Sequence, residues 1–267
     1  MTRRFAVLGD PVAHSKSPAM HAAGYRARNL DCAYEAIRAT PPDLAPLVQS
    51  LREGRFDGFN VTIPHKRRIL DHVDRVDPSA EKVGAANTLV RTVEGAVVAY
   101  NTDVPALAGE LAKLAPERTK EAWRASRAIV LGTGGAAASA IAALEGDLGV
   151  REVVVRSRRG ADALRPTDFD AEALTIIQAT SAGMDGADPG DVVADAIGWN
   201  ALSPHAIALD VVYAPRETPF LRAASAHRIR AANGLGMLAR QGALAFELWL
   251  GGPAPYDAML AAITGGP

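Results

Sequence analysis

The run Arg127-Ala128-Ile129-Val130-Leu131-Gly132-Thr133-Gly134-Gly135-Ala136-Ala137 leaves few folds open to this chain. Consecutive apolar residues read as a buried strand, the glycines after them as a tight turn, and the alanines as the start of a helix. A second apolar run, from Glu152 to Val155, returns at the spacing of a βαβ crossover. The two strands are therefore parallel, with a helix covering their sheet.

The same alternation extends in both directions. Before residue 115 strands are expected at 5–9, 33–39, 58–63, 87–92 and 96–101, with helices at 43–54, 79–84 and 105–114. In the first of these helices Leu44, Leu47, Val48 and Leu51 share one face. Another helix starts at Ser17-Pro18, where serine is a good N-cap and proline a good first residue. After a polar stretch at 116–127, strands at 128–131, 153–155, 174–179, 206–212 and 229–232 alternate with helices at 136–148, 219–226 and 237–250. Gly251-Gly252-Pro253 and Gly265-Gly266-Pro267 read only as punctuation. For 267 residues, two α/β domains are the economical division.

Hydrophobic residues make up 48% of the chain and charged residues 22%, with a formal net charge of -1. That balance predicts a sizeable core and excludes the broad basic surface that nucleic acid or an anionic membrane requires. The apolar run at the N-terminus stops at Gly9-Asp10-Pro11, too soon for a signal peptide, and no segment has the roughly 18 apolar residues of a membrane span. The single cysteine, Cys32, cannot form an internal disulfide, which fits a reducing compartment. A cytoplasmic protein with a small-molecule substrate, no nucleic-acid or membrane partner, and a monomeric or homodimeric state is expected.

Gly132, Gly134 and Ala137 satisfy G-x-G-x-x-G/A, in which glycines let the main chain approach a pyrophosphate seated on the helix N-terminus at Gly135 and Ala136. The end of the next strand decides which dinucleotide is bound. An NAD site usually has an acid there, whereas this chain has Arg156-Ser157-Arg158-Arg159. Guanidinium groups suit a 2′-phosphate, so NADP is the expected cofactor.

Four polar stretches in the first half fall at strand ends, where open α/β sheets bind ligands. They are His14-Ser15-Lys16-Ser17-Pro18, Asn60-Val61-Thr62-Ile63-Pro64-His65-Lys66, Gly84-Ala85-Ala86-Asn87-Thr88-Leu89 and Tyr100-Asn101-Thr102-Asp103. Taken singly, each has an ordinary explanation as a cap, a turn or a surface lysine. Together they form an ordered series. It runs G-x-P-x-x-H-S-x-S-P-x-x-H from Gly9, N-V-T-x-P-x-K from Asn60, G-A-x-N-T-L from Gly84 and N-T-D from Asn101. It continues as G-x-G-G-A from Gly132, D-V-x-Y-x-P-x-x-T-P from Asp210 and G-x-x-M-L-x-x-Q from Gly234. In this order, over almost the whole chain, the series resembles the shikimate dehydrogenases.

The resemblance implies an N-terminal α/β substrate domain at 1–104, completed by 237–267 as the last helix returns to it, and a Rossmann-type NADP-binding domain at 105–236. The implied reaction is the reversible NADP-dependent reduction of 3-dehydroshikimate to shikimate, on the way to chorismate and the aromatic amino acids. By the same match Ser15 and Ser17 bind the substrate carboxylate, while Thr62, Asn87, Tyr213 and Gln241 contact ring hydroxyls or the carboxylate. Lys66 and Asp103 are the implied catalytic pair, and Thr180, Val211, Gly234 and Met237 join the cofactor site. Reducing a ketone by hydride builds negative charge on oxygen, which needs a proton donor; Lys66 fills that role, Asp103 orients it, and no metal is required.

Departures from the family pattern are specific. Ala99 and Val104-Pro105-Ala106 stand where glycines are usual. Arg156-Ser157-Arg158 replaces the usual Asn-Arg-Thr, which displaces the register of the 2′-phosphate contacts. Gln178 replaces the usual Asn before Ala179-Thr180, and the longer amide would shift that loop. Two other readings fit much of the same sequence: a quinate/shikimate dehydrogenase using NAD, since one added hydroxyl is weakly discriminated by fit alone, and a non-catalytic dinucleotide sensor.

Overall fold

The computed structural model describes residues 2–157, 163–165 and 168–265. In chain order the elements are β1 Arg3–Gly9, α1 Ser17–Ala27, β2 Cys32–Arg38, α2 Leu44–Arg52, β3 Gly58–Val61, β4 Arg75–Val76, α3 Pro78–Glu81, β5 Thr88–Arg91, β6 Val97–Tyr100 and α4 Asp103–Leu114. There follow α5 Lys120–Arg124, β7 Arg127–Leu131, α6 Gly135–Ala142, β8 Glu152–Arg156, β9 Ala173–Gln178, α7 Asp191–Asp195, β10 Ile207–Asp210, α8 Pro219–Ala226, β11 Arg230–Ala232, α9 Leu235–Leu250 and α10 Tyr256–Thr264. The chain divides into two compact units, one of residues 1–106 with 238–267 and the other of residues 107–237.

The first unit is built on a six-stranded sheet in the order β2-β1-β3-β5-β6-β4. β1 runs parallel to β2 and β3, while β5 is antiparallel to both β3 and β6, so the sheet is mixed. One face carries Ala6, Leu8, Phe59, Val61 and Leu89 against Leu44, Val48 and Leu51 of α2. Those three leucine and valine positions recur at helical spacing and are fully buried, each contributing about 1.5–3 kcal/mol. The other face carries Phe5, Tyr34 and Asn60 toward α1 and α9; Phe5 lies 5.9 Å from the Tyr25 ring and 4.8 Å from that of Trp249. Helix α10, for which the sequence reading gives no element, packs on α1, where Met259 fills the space above Gly24.

The second unit is an all-parallel five-stranded sheet in the order β11-β10-β9-β7-β8. Its core joins Ile129, Leu131 and Ile176 of the strands to Phe169, Trp199 and Phe220. The chain leaves β7 in one direction to form β8 and in the other to form β9, so the carboxyl ends of β7 and β9 flank a topological switch point. Two helical expectations are revised here. The segment 136–148 is not one helix but α6 followed by a wider π turn at Ala143–Asp147, and the polar stretch contains α5, capped by Thr119 through its hydroxyl to the Ala122 amide.

Candidate active site and dinucleotide cleft

Lys66 sits on a loop held from both sides. The Ala86 amide donates to the Lys66 carbonyl at 2.8 Å and the Ile69 amide to the His65 carbonyl at 2.9 Å. The buried His65 ring bonds the Ala39 carbonyl through Nε2 at 2.7 Å; a carbonyl only accepts, so that nitrogen carries the proton. From this mount Lys66 Nζ reaches Asp103 Oδ2 at 2.6 Å, with side chains 18% and 4% exposed. Asp103 is the first residue of α4, whose leading amides at Asp103 and Val104 both donate to Asn101 Oδ1. Asn101 thus caps the helix and leaves the Asp103 carboxylate available to its neighbours.

Asn87 completes the group. Its Nδ2 donates to Asp103 Oδ1 at 2.9 Å, to Thr102 Oγ1 at 2.9 Å and toward Gln241 Oε1 at 3.2 Å, while its Oδ1 accepts from the Thr102 amide at 2.8 Å. A carboxylate only accepts, so Asp103 fixes which way this amide points. Thr102 Oγ1 in turn donates to the Gln241 main-chain oxygen at 3.1 Å, which ties α9 to the cluster. Lys66, Asp103, Asn87 and Gln241, separated in sequence, are therefore joined in one hydrogen-bonded chain.

Three residues behind this group carry no role in the sequence reading. Asn60 Nδ2 donates to the Asn87 carbonyl and to Thr88 Oγ1, both at 3.1 Å, and Tyr34 donates to Asn60 Oδ1 at 2.7 Å. Asn60 and Thr88 are paired across the sheet. Their signal is polar residues in otherwise apolar strands, where an unpartnered side chain would be costly. Burial pushes the Tyr34 phenol far above its ordinary range, opposed by interaction with the Ser17 hydroxyl.

The serine stretch corrects one expectation. Ser17 is not the N-cap of α1 but its first helical residue; the cap position is Lys16. Ser15 Oγ instead accepts from the Ser17 amide at 3.2 Å, so Ser15 holds the start of the helix and Ser17, 5% exposed, turns toward the interior. Lys16, to which the motifs assign nothing, reaches the Ile263 carbonyl near the end of α10 at 3.5 Å. Thr62 follows β3, with its amide on the Leu8 carbonyl at 2.8 Å.

In the second unit a cleft of about 610 Å³ opens at the switch point, lined among others by Gly132, Gly134, Ser157, Thr180 and Asp188. Gly132 has φ of +126°, and a Cβ there would stand 2.8 Å from the Ala179 carbonyl oxygen, so only glycine lets β7 turn beside β9. Above Gly134 there is open space, and α6 begins immediately after it at Gly135, where the first amides of a helix have no partner within the helix. Gln178 folds back on the neighbouring loop: its Oε1 accepts from the Thr180 amide at 2.7 Å and its Nε2 donates to the Ala182 carbonyl at 2.8 Å. The longer amide braces the loop that carries Thr180.

Val211 and Gly234 are in contact, since a Cβ on Gly234 would stand 2.2 Å from the Val211 oxygen, and Met237 is buried nearby in sequence on α9. Tyr213 lies on the loop after β10, with its phenol pushed up by burial. That loop is anchored by Asp210, which accepts from Thr218 Oγ1 at 2.6 Å and from the Val212 amide at 3.0 Å; burial raises its carboxyl to about 6. Arg156 is engaged rather than turned to the cleft: Nε and Nη2 bond Asp168 at 2.9 and 2.6 Å. Arg158 and Arg159 lie outside the described residues.

A doubly wound parallel sheet with a glycine-lined cleft at its switch point, carried by a chain with a buried lysine–carboxylate pair, defines a dinucleotide-linked oxidoreductase. Comparison with known proteins makes this particular. Residues 7–89 match the family described as shikimate dehydrogenase substrate binding domain and residues 234–264 that described as shikimate 5'-dehydrogenase C-terminal domain. The shikimate dehydrogenase (NADP(+)) of Nitrosopumilus maritimus is 33% identical over all of both chains, and that of Citrifermentans bemidjiense 39% identical over 98% of this chain and 95% of its own. The crystal structure of shikimate 5-dehydrogenase from Thermus thermophilus with NADP(H) and shikimate superposes with a TM-score of 0.80, at 36% identity and 98% coverage of each chain. This chain belongs to the shikimate dehydrogenase family.

Proposed function

We propose that the protein catalyses the reversible NADP-dependent reduction of 3-dehydroshikimate to shikimate, in the route to chorismate and the aromatic amino acids. The observation that carries this reading is the buried Lys66–Asp103 pair, joined to Asn87 and Gln241 at 2.6–3.2 Å. Lys66 Nζ holds a proton for the oxygen that becomes a hydroxyl and takes one back in the opposite direction. Asp103, oriented by Asn87, fixes the direction of the ammonium and has lone pairs left for a substrate hydroxyl. Ser15 and Ser17 donate to the substrate carboxylate, and Thr62 and Gln241 contribute further polar contacts.

The second unit fits a dinucleotide: Gly132 and Gly134 leave room for a pyrophosphate against Gly135 and Ala136, and Thr180, Val211, Gly234 and Met237 extend the site. Hydride transfer is the chemistry the nicotinamide supplies when bound. Among the described residues no helix is long and apolar enough to cross a membrane. The lone Cys32 supports a reducing, cytoplasmic setting, and the enzyme works there as a monomer or homodimer.

Steady-state assays with shikimate and quinate, each with NADP and NAD, test the reading. The highest kcat/KM is expected for shikimate with NADP. A preference for quinate with NAD would overturn the substrate assignment, and nucleotide binding without turnover of either acid would leave a sensor.

The two serines should separate in kinetics. Ser17→Ala removes a donor to a carboxylate and should raise KM for shikimate roughly tenfold or more with kcat little changed. Ser15→Ala should do the same and in addition lower stability by about 0.5–2 kcal/mol, because its oxygen also holds the first amide of α1. Thermal melts beside the kinetics check both, and equal stability losses would contradict the division of labour.

A further inference from the structure

Arg156 ends β8, the strand whose carboxyl end meets the 2′ position of the adenosine ribose in folds of this kind. Its main-chain oxygen accepts from the Gly132 amide at 2.8 Å, which places it beside the glycine turn. The side chain, however, forms a forked pair with Asp168, and its Nη1 donates to the Val155 carbonyl at 3.1 Å. Asp168 is 5% exposed at its side chain and also accepts from the Arg165 amide at 2.7 Å. Burial alone would push this carboxyl up, but the Arg156 guanidinium and the Arg165 amide hold it below the usual range, so it is ionised at neutral pH. The fork geometry that makes arginine a phosphate ligand is therefore already filled by a carboxylate, and the pair is electrically neutral. A 2′-phosphate approaching this strand end therefore meets, at Arg156, a neutral pair rather than an open guanidinium fork.

The geometry points to Asp168 as a specificity-determining residue that, by neutralising Arg156, narrows the preference of this enzyme for NADP over NAD. Arg156 acts at this strand end as a brace for the segment reaching Asp168, not as a phosphate ligand. The inference rests on the coenzyme reading above and is separable from it. Wild-type protein that bound neither adenosine 2′,5′-bisphosphate nor 5′-AMP would sink that reading, whereas binding of both with no response to change at Asp168 would sink only this one.

The test is calorimetric titration of the full-length protein with those two nucleotides, which needs no turnover. Asp168→Asn keeps the size and an acceptor for the Arg165 amide while removing the carboxylate charge that Arg156 forks. It should tighten adenosine 2′,5′-bisphosphate roughly 5–20-fold and leave 5′-AMP within about twofold. The double variant Arg156→Gln with Asp168→Asn restores a neutral pair and should return the ratio of the two affinities to within about threefold of wild type. An unchanged or lower ratio in Asp168→Asn overturns the proposal. So does a fall of roughly tenfold or more in the double variant, which would mean that Arg156 itself grips the phosphate.

Discussion

Lys66→Ala should lower kcat for shikimate oxidation by ~10²–10⁴ while changing KM much less, the signature of a lost general acid and base. That range corresponds to about 3–5 kcal/mol of transition-state stabilisation. Among the described residues the other side chain bonded to the Asp103 carboxylate is Asn87, an amide with no transferable proton at neutral pH. Asp103→Asn should also impair turnover, because the replacement loses the charge that draws Lys66 to within 2.6 Å. Asp103 is buried and Lys66 partly so, so melting curves should accompany the kinetics to separate lost chemistry from lost folding. A Lys66→Ala enzyme that folds and turns over at near wild-type kcat would refute the assignment.

Acid should destabilise the protein through His21. This ring is fully buried on α1, stacked on Tyr34 at 4.3 Å and 7° and flanked by Trp249 at 5.4 Å. Burial drives its pKa from 6.5 down to about 3, outweighing a favourable interaction with Asn60. The folded protein therefore holds His21 neutral while the unfolded chain binds a proton below pH 6.5. Between those pH values the unfolded state binds more protons, so stability rises with pH, is fully present above about 6.5 and is lost as pH falls toward 3. The whole shift is worth roughly 4–5 kcal/mol, of which somewhat over half is lost by about pH 4.5.

Asp210 has the opposite sign. Its carboxyl is raised from 3.8 to about 6, so its contribution is present below the unfolded value and is lost as pH rises through the folded one. The two are told apart by substitution. His21→Phe keeps an aromatic ring on Tyr34 and removes the titration, so its urea-unfolding free energy should fall less than that of wild type between about pH 7 and 4.5, by roughly 2–3 kcal/mol. Equal losses in the two proteins would show that His21 is not the sensitive group.

Much of the architecture is legible because it depends on short-range patterns. The apolar strand 128–131, the glycines after it and the alanine-rich start of α6 are adjacent, and each obeys local sterics. The N-T-D segment is readable as a cap for the same reason, since Asn101 serves amides only two and three residues ahead. The short β4 is not, because a two-residue strand carries too little periodicity to stand out from loop. The partition of roles between Ser15 and Ser17 is also hidden. Either serine satisfies the sequence rule for a cap, and only the backbone conformation at Lys16 decides which hydroxyl meets an amide.

Residue type and spacing were enough to point to an α/β protein with a dinucleotide turn, and the ordered motifs' resemblance to the shikimate dehydrogenases singled out Lys66, Asp103, Ser15 and Ser17 as the residues to test. Which side chains meet was settled only by folding. Asn87 bonds Gln241 across 154 residues of chain and Tyr34 bonds Asn60 across 26. Arg156, basic and well placed by sequence, is claimed by Asp168, an acid 12 residues on with no periodic relation to it. Such pairings are set by strand order and by the cost of burying an unpartnered charge, and neither is visible until the chain has folded.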